Sequence, residues 1–521
     1  MARVNNPIMA GFYPDPSICR VGKDYYMVHS TFAYFPGVPI FRSENLVSWE
    51  QIGNILERDS QLPLTGCRQS QGIFAPTIRY SQGKYYMITT NISAGGNFIV
   101  TAEKPEGSWS EPYFLGPGAA GIDPSLFFDT DGTCYYIGQR EKSGAKYYGD
   151  CEVWIQKLNL ETMKLEGEAI SVLDGFQKNA IWPEGPHLYH KDDYYYIIHA
   201  ESGTAFHHSV MAARSHDIFG PYEYCPSNPI ITHRHLGKDY PVTSVGHADL
   251  VDDGNGNWYM VMLACRPQEG HTLLGRETFL AKVVWEDGWP VVNPGIGHLE
   301  DTLEIPGDEE TVWTFDECRT YSFNIKELPP EFLSLRNNRE KVMSLADRPG
   351  YLRLYMRKDT LKDLAEPAYL AVRQQHKDYE VETQFDVHFE TEGECAGVAL
   401  MQNNENHVRV EYSREGGKNA VRTIRCIKGS DEELCLTDGI EKEIIGLKVS
   451  VHGLSVDVWY RCGEEWQALI SDVDIRTLST ESAGGFLGCT VGMYASGNGK
   501  DTGGYADFAS FIYKEGYTIW K

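Results

Sequence analysis

The chain has 521 residues, of which 42% are hydrophobic and 23% charged, so it is too long for one hydrophobic core and too apolar for a disordered protein. Acidic residues outnumber basic ones by 73 to 47, and the formal net charge of -26 weighs against nucleic acids and anionic membranes as partners. The same excess has a plainer explanation, which is a soluble surface without further meaning.

The sequence contains no recognisable targeting or membrane segment. The first 17 residues lack an apolar core of signal-peptide length, and no stretch approaches the roughly 18 apolar residues of a membrane helix. The twelve cysteines include no CxxC pair and no zinc-like spacing, which is typical of reduced thiols. We therefore expect a cytoplasmic protein, unless a leader has been removed, and the sequence leaves a homo-oligomer open.

The first 300 residues repeat one unit five times. Each unit begins with a head, a small or acidic residue followed by a proline or small residue and an apolar one. An aromatic pair inside a hydrophobic run follows roughly ten residues later. The five heads are Asp15, Ala75, Asp123, Glu184 and His247.

The spacing of the heads, roughly 50 to 60 residues, is the length of one supersecondary unit. Turn signals such as Gly22-Lys23-Asp24 separate the two runs of each unit, which predicts hairpins. Further short strands, for example at 38–41 and 98–100, complete the units. The repeat predicts a five-bladed β-propeller over residues 1–305. The alternative is a large sandwich in which aromatic hairpins recur by chance.

A different pattern follows the repeat. The segment 299–317 is acidic, lacks the aromatic pair and is expected to be a linker with a strand beginning at Val312. Alternating apolar residues then predict strands at 381–389, 408–412 and 447–451, each with one buried and one solvated face. Residues 306–521 are therefore predicted to form a β-sandwich, and the whole chain is all-β.

Three of the five heads are carboxylic acids. Singly, each has a structural explanation: Asp15 could cap a turn, Asp123 could form an Asx-turn with Ser125, and Glu184 could accept backbone N–H groups. Together, at equivalent places of a repeat, they favour one shared axial pocket. Hydrolysis of a glycosidic bond needs one protonated and one ionised carboxyl group, and a third carboxylate can raise the pKa of the acid.

Aromatic residues near the heads could pack on a sugar ring or fill space between blades. These residues are Phe32, Phe74, Trp182 and Phe206.

Seven segments in chain order carry a resemblance to a known family. They are NPIMAGFYPDPS, GVPIFRSENLVSWEQIG, FAPTIRY, GIDPSLFFD, WPEGPHLY, SVGHADLVD and LGRETFLAKV. With them the chain resembles glycoside hydrolase family 43, specifically its two-domain β-xylosidases and α-L-arabinofuranosidases. The C-terminal half resembles the concanavalin-like jelly-roll sandwich appended in that subgroup.

The resemblance implies an inverting mechanism with a role for each acidic head. Asp15 matches the general base that activates water, and Glu184 matches the general acid that protonates the leaving oxygen. Asp123 matches the residue that orients the acid and tunes its pKa. An inverting pair stands roughly 6.5 to 9.5 Å apart to admit the water.

The resemblance also implies contacts to the sugar. Arg276 matches an arginine that hydrogen-bonds sugar hydroxyls, although a structural ion pair remains the alternative. Many relatives have tryptophan where this chain has Phe74, which leaves the substrate preference open. Phe508 matches a residue that reaches from the sandwich to close the pocket; its alternative is a core position. His247 could be a hydrogen-bonded filler, a partner that orients a carboxylate, or a ligand of an axial cation.

The predicted function is an exo-acting β-xylosidase that releases xylose from the non-reducing ends of short xylo-oligosaccharides, with α-L-arabinofuranosidase activity in the same site. The alternatives are a protein that is mainly an arabinofuranosidase and a carbohydrate-binding propeller without catalysis. No cofactor is expected to be required, although a structural or axial divalent cation such as calcium is compatible with the sequence. A metal-dependent hydrolase is disfavoured because His207-His208 and His233–His235 lack suitable partners nearby in sequence.

Overall fold

The computed structural model describes residues 1–307, 318–440 and 444–516, and strands dominate all three ranges. The strand expected at Val312 lies outside the described residues. One short α-helix, Thr480–Ala483, and three 3-10 helices, Arg234–Leu236, Arg339–Lys341 and Arg476–Leu478, complete the described part. None of the helices in these ranges has the length and apolar character needed to span a membrane.

Five four-stranded antiparallel sheets confirm the predicted propeller. Blade 1 consists of Ser17–Val21, Asp24–Val28, Gly37–Ser43 and Glu50–Leu56. Blade 2 consists of Thr77–Ser81, Lys84–Asn91, Gly96–Ala102 and Tyr113–Phe114. Blade 3 consists of Ile122–Phe128, Cys134–Glu141, Cys151–Asn159 and Lys164–Leu173. Blade 4 consists of Glu184–Lys191, Tyr194–Glu201, Ser209–Ser215 and Glu223–Tyr224, and blade 5 of Thr243–Asp252, Trp258–Cys265, Glu277–Glu286 and Trp289–Val292.

The repeated aromatic pair explains how the blades pack. Successive side chains of a strand point to opposite faces of the sheet, so the two rings of a pair enter different cores. Tyr26 and Tyr85 pack into the core between blades 1 and 2, with ring centroids 5.3 Å apart. Tyr86 and Tyr136 belong to the core between blades 2 and 3, whereas Tyr135 belongs to the next one. The two rings of an aromatic pair therefore pack into the two interfaces that a blade forms with its neighbours.

Polar side chains join the inner strands just below the heads. Four of the heads are followed, two residues later, by a polar residue at the equivalent position of the inner strand. These residues are Ser17, Thr77, Ser125 and Asp249. The Asp249 carboxylate accepts hydrogen bonds from the Ser17 hydroxyl at 2.7 Å and from the Arg79 guanidinium at 2.8 and 3.1 Å. This buried ion pair ties blades 1, 2 and 5 together beneath the heads.

The sandwich consists of two antiparallel sheets. The eight-stranded sheet contains Cys318–Ser322, Met343–Ser344, Leu352–Tyr355, Asp378–His388, Ile444–His452, Ser455–Arg461, Gln467–Asp474 and Tyr505–Glu515. The six-stranded sheet contains Ala368–Arg373, Cys395–Asn403, Asn406–Glu415, Lys418–Ile427, Ser430–Asp438 and Thr490–Ser496. The predicted sandwich is thereby confirmed.

The two domains share secondary structure and a core. Tyr34–Phe35 of the propeller pairs with Ser334–Leu335 of the sandwich side. Ala2–Asn5 pairs with Thr302–Ile305, so the start of the chain meets the end of the propeller half. Phe12, Phe32 and Tyr34 of the propeller pack in one buried cluster with Tyr369, Ala371 and Met401 of the six-stranded sheet.

The expectation of a solvated outer face is wrong for strand Asn406–Glu415. Its first eight residues are all buried, because its sheet packs with one face on the sandwich core and carries paired charges on the other. There the Arg409 guanidinium lies 2.7 Å from the Glu411 carboxylate and pairs with Asp431 at 3.1 Å. In this strand, the alternation of residue types separates an apolar face from an ion-paired face, and both faces are buried.

Candidate active site

All five heads line one pocket of about 380 Å³ at the end of the inner strands. Three of them have backbone angles in the left-handed region, with φ of 54° at Asp15, 53° at Asp123 and 49° at His247. Such backbone is costly for residues with a side chain and clusters at functional sites. Because this left-handed conformation recurs at equivalent positions, it directs heads of different blades into the same pocket.

Asp15 is held as an anion at the base of the pocket. Its carboxylate accepts a hydrogen bond from the Ser30 hydroxyl at 2.6 Å and pairs with the Arg276 guanidinium at 2.8 Å. Burial alone would raise the pKa of Asp15, but Arg276, His247 and the Ser30 hydrogen bond outweigh it, so the pKa is lowered. Asp15 is therefore ionised at neutral pH.

Glu184 has the opposite character. Burial raises its pKa well above the usual range for a carboxyl, and the negative charges of Asp123 and Asp15 raise it further. Burial likewise raises the pKa of Asp123 to about 6, while a hydrogen bond from the backbone N–H of Gly185 at 3.2 Å favours its ionised form. The pocket thus contains a protonated carboxyl and an ionised one, which is the combination that acid–base catalysis requires.

Arg276 and His247 complete the polar part of the pocket. The Arg276 guanidinium donates to Asp15 and also to the Thr204 hydroxyl at 3.1 Å, while its Nε is buried without a hydrogen-bond acceptor among the described residues. His247 Nδ1 lies 3.9 Å from the Asp15 carboxylate. Its ring packs on Gly185, where even a Cβ would come within 2.8 Å of the imidazole. Glu277, the neighbour of Arg276, pairs instead with Arg266 at 2.7 Å.

Three phenylalanines form the apolar wall. Phe32 and Phe74 come from the propeller and have ring centroids 5.7 Å apart, whereas Phe486 comes from the sandwich and lies 6.3 Å from Phe32 and 6.1 Å from Phe74. The Arg276 guanidinium lies 5.6 Å from the Phe486 ring. The sandwich therefore contributes directly to the pocket.

The structure corrects the expectation for Phe508. This residue is fully buried in the sandwich core, with its ring centroid 4.8 Å from that of Phe385, and it does not line the pocket. Its strand is central in the eight-stranded sheet, so a side chain pointing inward meets the other sheet. Phe486, on the loop before strand Thr490–Ser496, occupies the place that was expected for Phe508.

Sequence reasoning also missed several supporting residues. Ser30 and Thr204 bind the charged groups, but nothing in their local sequence marks them. Trp182, one of the aromatic residues expected near the heads, lines the pocket, and the exposed Tyr148, which the sequence did not mark, packs beside it with ring centroids 5.0 Å apart. Phe206, in contrast, is absent from the pocket lining and contacts His207 instead.

One group of side chains in the described residues has the spacing of a metal site, and it lies far from the heads in the fold. His407, Cys426 and Asp431 belong to three adjacent strands of the six-stranded sheet, with ligand atoms within 4.8 Å of one another. The cations Arg409 and Lys362 already pair with Asp431, at 3.1 and 2.9 Å, and would repel a metal ion.

Comparison with known proteins agrees with this architecture. Residues 4–290 match the family model of glycosyl hydrolases family 43, and residues 320–514 match that of the beta xylosidase C-terminal concanavalin A-like domain. The chain is 50% identical to a xylosidase/arabinosidase of Butyrivibrio fibrisolvens, covering 99% of this chain and 100% of that protein. It is 35% identical to a non-reducing end α-L-arabinofuranosidase of Bacteroides ovatus, covering 98% and 94%. The crystal structure of a xylan β-1,4-xylosidase from Bacillus halodurans is similar at a TM-score of 0.89 and 33% identity, covering 98% of this chain and 100% of that one.

Proposed function

This chain belongs to glycosyl hydrolases family 43, whose enzymes are inverting glycoside hydrolases, and from that premise we propose an exo-acting β-xylosidase with α-L-arabinofuranosidase activity in the same site. Its substrates are short xylo-oligosaccharides, from which it removes the terminal unit at the non-reducing end. The observation that carries the proposal is the single pocket in which Asp15 and Glu184 have pKa values shifted in opposite directions.

The three carboxyl groups have different roles in one displacement reaction at the anomeric carbon. The ionised Asp15 takes a proton from a water molecule, whose oxygen attacks the anomeric carbon. Glu184 gives its proton to the leaving oxygen as the glycosidic bond breaks, and the sugar departs with inverted configuration. Asp123 keeps the pKa of Glu184 high by like-charge repulsion. Arg276 holds Asp15 and can donate its Nε–H to a sugar hydroxyl.

The shape of the pocket supports exo-action. Beneath the heads, the Arg79–Asp249 ion pair fills the space between the inner strands. Above them, Phe486 adds a wall from the second domain. A pocket closed on these sides accepts the end of a chain and not its middle.

The choice of sugar follows from size and from the relatives. Xylose and arabinose are both pentoses without a C6 group, so one small pocket can hold either. The Butyrivibrio relative is named for both activities, which favours a bifunctional enzyme. The Bacteroides relative is named for arabinofuranosides alone, and this makes a mainly arabinofuranosidase activity the second candidate.

Hydrolysis of two chromogenic substrates separates these candidates. The purified protein is expected to cleave both nitrophenyl β-xyloside and nitrophenyl α-L-arabinofuranoside, with the higher kcat/KM for the xyloside. A much higher value for the arabinofuranoside would establish the second candidate instead. Absence of both activities would leave only a carbohydrate-binding propeller.

The assignment of roles has its own test. Asp15→Asn removes the base and is expected to reduce kcat by roughly 10²–10⁴-fold on every substrate. Glu184→Gln should reduce hydrolysis of xylobiose by a similar factor. The same variant should lose far less activity on dinitrophenyl xyloside, because that leaving group departs without a proton. Equal losses of Glu184→Gln on both substrates would exclude the acid role.

Two further points concern metal ions and the cellular location of the protein. We propose that catalysis requires no metal ion, because the Arg276 guanidinium already supplies the cation next to Asp15. Activity is therefore expected to survive exhaustive treatment with a chelator. Loss of activity on this treatment, followed by its recovery when calcium is added, would contradict the proposal. A cytoplasmic location is proposed as well. The twelve cysteines form no disulfide in the part of the chain that the structure describes, and most of them are buried, which supports this location.

A further inference from the structure

The segment that carries Asp15 into the pocket is buried but belongs to no strand. It comprises residues 7–16, between the first strand of the chain and blade 1, and all of these residues are buried. We call it the base segment. Its only β-bridge in the described part of the chain joins Met9 to Thr278. Its position therefore depends on contacts from neighbouring elements.

Blade 5 holds the base segment on the propeller side. The backbone N–H of Gly11 donates to the Glu277 carboxylate at 3.1 Å. The Thr278 hydroxyl donates to the Tyr13 carbonyl oxygen at 2.6 Å. Glu277 is fully buried and is itself fixed by two hydrogen bonds from the Arg266 guanidinium, at 2.7 Å each. These contacts attach the segment to the propeller, and a second set comes from the sandwich.

The sandwich approaches the base segment closely at Gly11. This glycine has a φ of 86°, and a Cβ on it would lie 2.5 Å from the carbonyl oxygen of Gln374. The adjacent Gln375 side chain donates to the Ala10 carbonyl oxygen at 3.2 Å. The backbone of the sandwich therefore lies against the segment, with no room for a side chain between them.

Arg373 extends this contact to the residues next to Asp15. Its Nε–H donates to the Phe12 carbonyl oxygen at 3.0 Å. Its guanidinium carbon lies 4.8 Å from the ring centroid of Phe12 and 4.4 Å from that of Tyr13, which are cation–π distances. Pro14 follows, and its ring fixes its own φ and restricts the backbone of Tyr13. Because few torsions remain between Phe12 and Asp15, a shift of Phe12 moves the carboxylate as well.

The surroundings of Arg373 indicate more than a packing role. The side chain is 2% exposed, and its Nη1 and Nη2 atoms are buried without a hydrogen-bond partner in the described ranges of the chain. A buried cation without an anion costs free energy, whereas an apolar side chain of similar length would fill the space without that cost. The contacts that only a guanidinium provides are those to Phe12 and Tyr13, and they act on the base segment.

We propose that Arg373 is a positioning residue that acts on catalysis through Asp15. By holding the Phe12 carbonyl group and the two rings, it keeps the Asp15 carboxylate at the place from which it takes a proton from water. The inference rests on the proposed function and adds a sandwich residue to the step assigned to the base. A misplacement of about 1 Å can cost roughly a hundredfold in rate, so small shifts of the base segment are sufficient.

The test compares kcat and KM of the wild-type protein and Arg373→Met on xylobiose and on dinitrophenyl β-xyloside. Methionine keeps most of the length of the side chain but has neither a charge nor an N–H donor. In Arg373→Met, kcat is expected to fall by about tenfold or more, while KM changes by about twofold or less. The loss should be equal on both substrates, because water must be activated whatever the leaving group is. Arg373→Lys keeps a cation but lacks the Nε–H of the guanidinium, and its kcat should fall about threefold.

Arg336→Met is the matched control. Arg336 is also 2% exposed at the boundary between the domains, where its Nε–H donates to the Cys67 carbonyl oxygen at 2.6 Å. None of its hydrogen bonds among the described residues reaches the base segment. Both methionine variants should therefore unfold at a lower denaturant concentration than the wild-type protein. Only Arg373→Met should lose kcat under conditions in which both variants are folded.

The outcomes separate positioning of the base from stability of the domain boundary. Wild-type kcat in Arg373→Met, or an equal loss of kcat in Arg336→Met, would overturn the inference. A loss on xylobiose alone would place the defect at the acid Glu184 and would overturn it too. If Arg373→Met does not fold, Arg373→Lys is measured in its place, and wild-type kcat in that variant shows the inference to be wrong. If the wild-type protein hydrolyses neither substrate, the proposed function itself has failed.

Discussion

At the scale of single residues, Asp15 and Glu184 show how one pocket gives two carboxyl groups opposite protonation states. Burial raises the pKa of both groups, but Asp15 gains an arginine and a hydroxyl donor, whereas Glu184 gains two negative neighbours. The two roles follow from these neighbours, since the ordinary pKa values of Asp and Glu are nearly the same.

Ser30 is predicted to sustain the ionised state of Asp15. Ser30→Ala removes a 2.6 Å hydrogen bond to the carboxylate, of a kind worth about 1.5–3 kcal/mol. The pKa of Asp15 should therefore rise, and activity should be lost at a higher pH when the solution is acidified. The pH profile of kcat/KM measures this shift of the acidic limb. Ser43→Ala, which removes a hydroxyl from the same blade outside the pocket, should leave the limb in place.

Asp123 is predicted to act on the opposite limb. Its negative charge raises the pKa of Glu184, so Asp123→Asn should lower that pKa. Glu184 acts while protonated, and its activity is lost as the pH rises through its pKa. The basic limb of the kcat/KM profile should therefore move to lower pH. A basic limb that stays in place would show that Asp123 does not tune the acid.

The sequence was informative about site residues where a local motif repeats. The five heads could be recognised because each has the same neighbours in its own blade, and the structure brings all five to one pocket. Ser30 and Thr204 could not, because their contacts join parts of the chain that only the fold brings together. Phe508 was assigned to the pocket from the family resemblance alone, and Phe486 was not considered, because a loop residue has no periodicity to show where it points.

At the scale of elements, the loop before strand Thr490–Ser496 brings the sandwich to the pocket. The backbone N–H of Thr272 donates to the Glu481 carboxylate at 2.7 Å, and the Cys489 N–H donates to the Leu273 carbonyl at 2.8 Å. Gly488 allows this approach, since a Cβ there would lie 2.2 Å from the Leu274 carbonyl oxygen. These contacts fix Phe486 as a wall.

Phe486→Ala is predicted to open the pocket. It removes a ring that contacts Phe32, Phe74 and Arg276, so kcat/KM for nitrophenyl xyloside should fall about tenfold, a change of roughly 1.4 kcal/mol. Steady-state kinetics measures this effect. Phe508→Leu is the matched control, because it should lower the stability of the sandwich while kcat/KM at low temperature stays near the wild-type value. The reverse outcome would restore Phe508 to the pocket.

The inner strands are predicted to depend on the Arg79–Asp249 pair. Arg79→Met leaves the Asp249 carboxylate buried without its cation, which should cost about 3–5 kcal/mol of unfolding free energy. Chemical denaturation of the propeller measures this loss. Asp252→Asn breaks the half-exposed pair with Arg20 and should cost about 1 kcal/mol or less. Equal effects of the two variants would contradict a special role for the buried pair.

Elements were predictable where packing follows the side-chain period. The aromatic pair of each unit marked a strand, because both of its faces meet another blade. The outer face of strand Asn406–Glu415 was assigned to solvent because Arg409 and Glu411 are charged. An ion-pair network satisfies those charges in a buried place, and polarity alone does not distinguish the two situations.

At the scale of the whole molecule, residues of both domains line the pocket that contains the heads. The propeller supplies Asp15, Glu184 and Arg276, to which we assign the roles of base, acid and sugar contact, while the sandwich supplies Phe486 as a wall of the pocket. The shared core containing Phe12, Tyr34 and Tyr369 holds the two halves in this arrangement.

The most direct test of the central claim is proton NMR of xylotriose during hydrolysis by the purified protein. An inverting exo-enzyme with Asp15 as base and Glu184 as acid should release α-xylose first, one unit at a time, with xylobiose as the other initial product. Both signals should disappear in Asp15→Asn. Initial release of β-xylose would contradict the inverting mechanism, and full activity in Asp15→Asn would contradict the site.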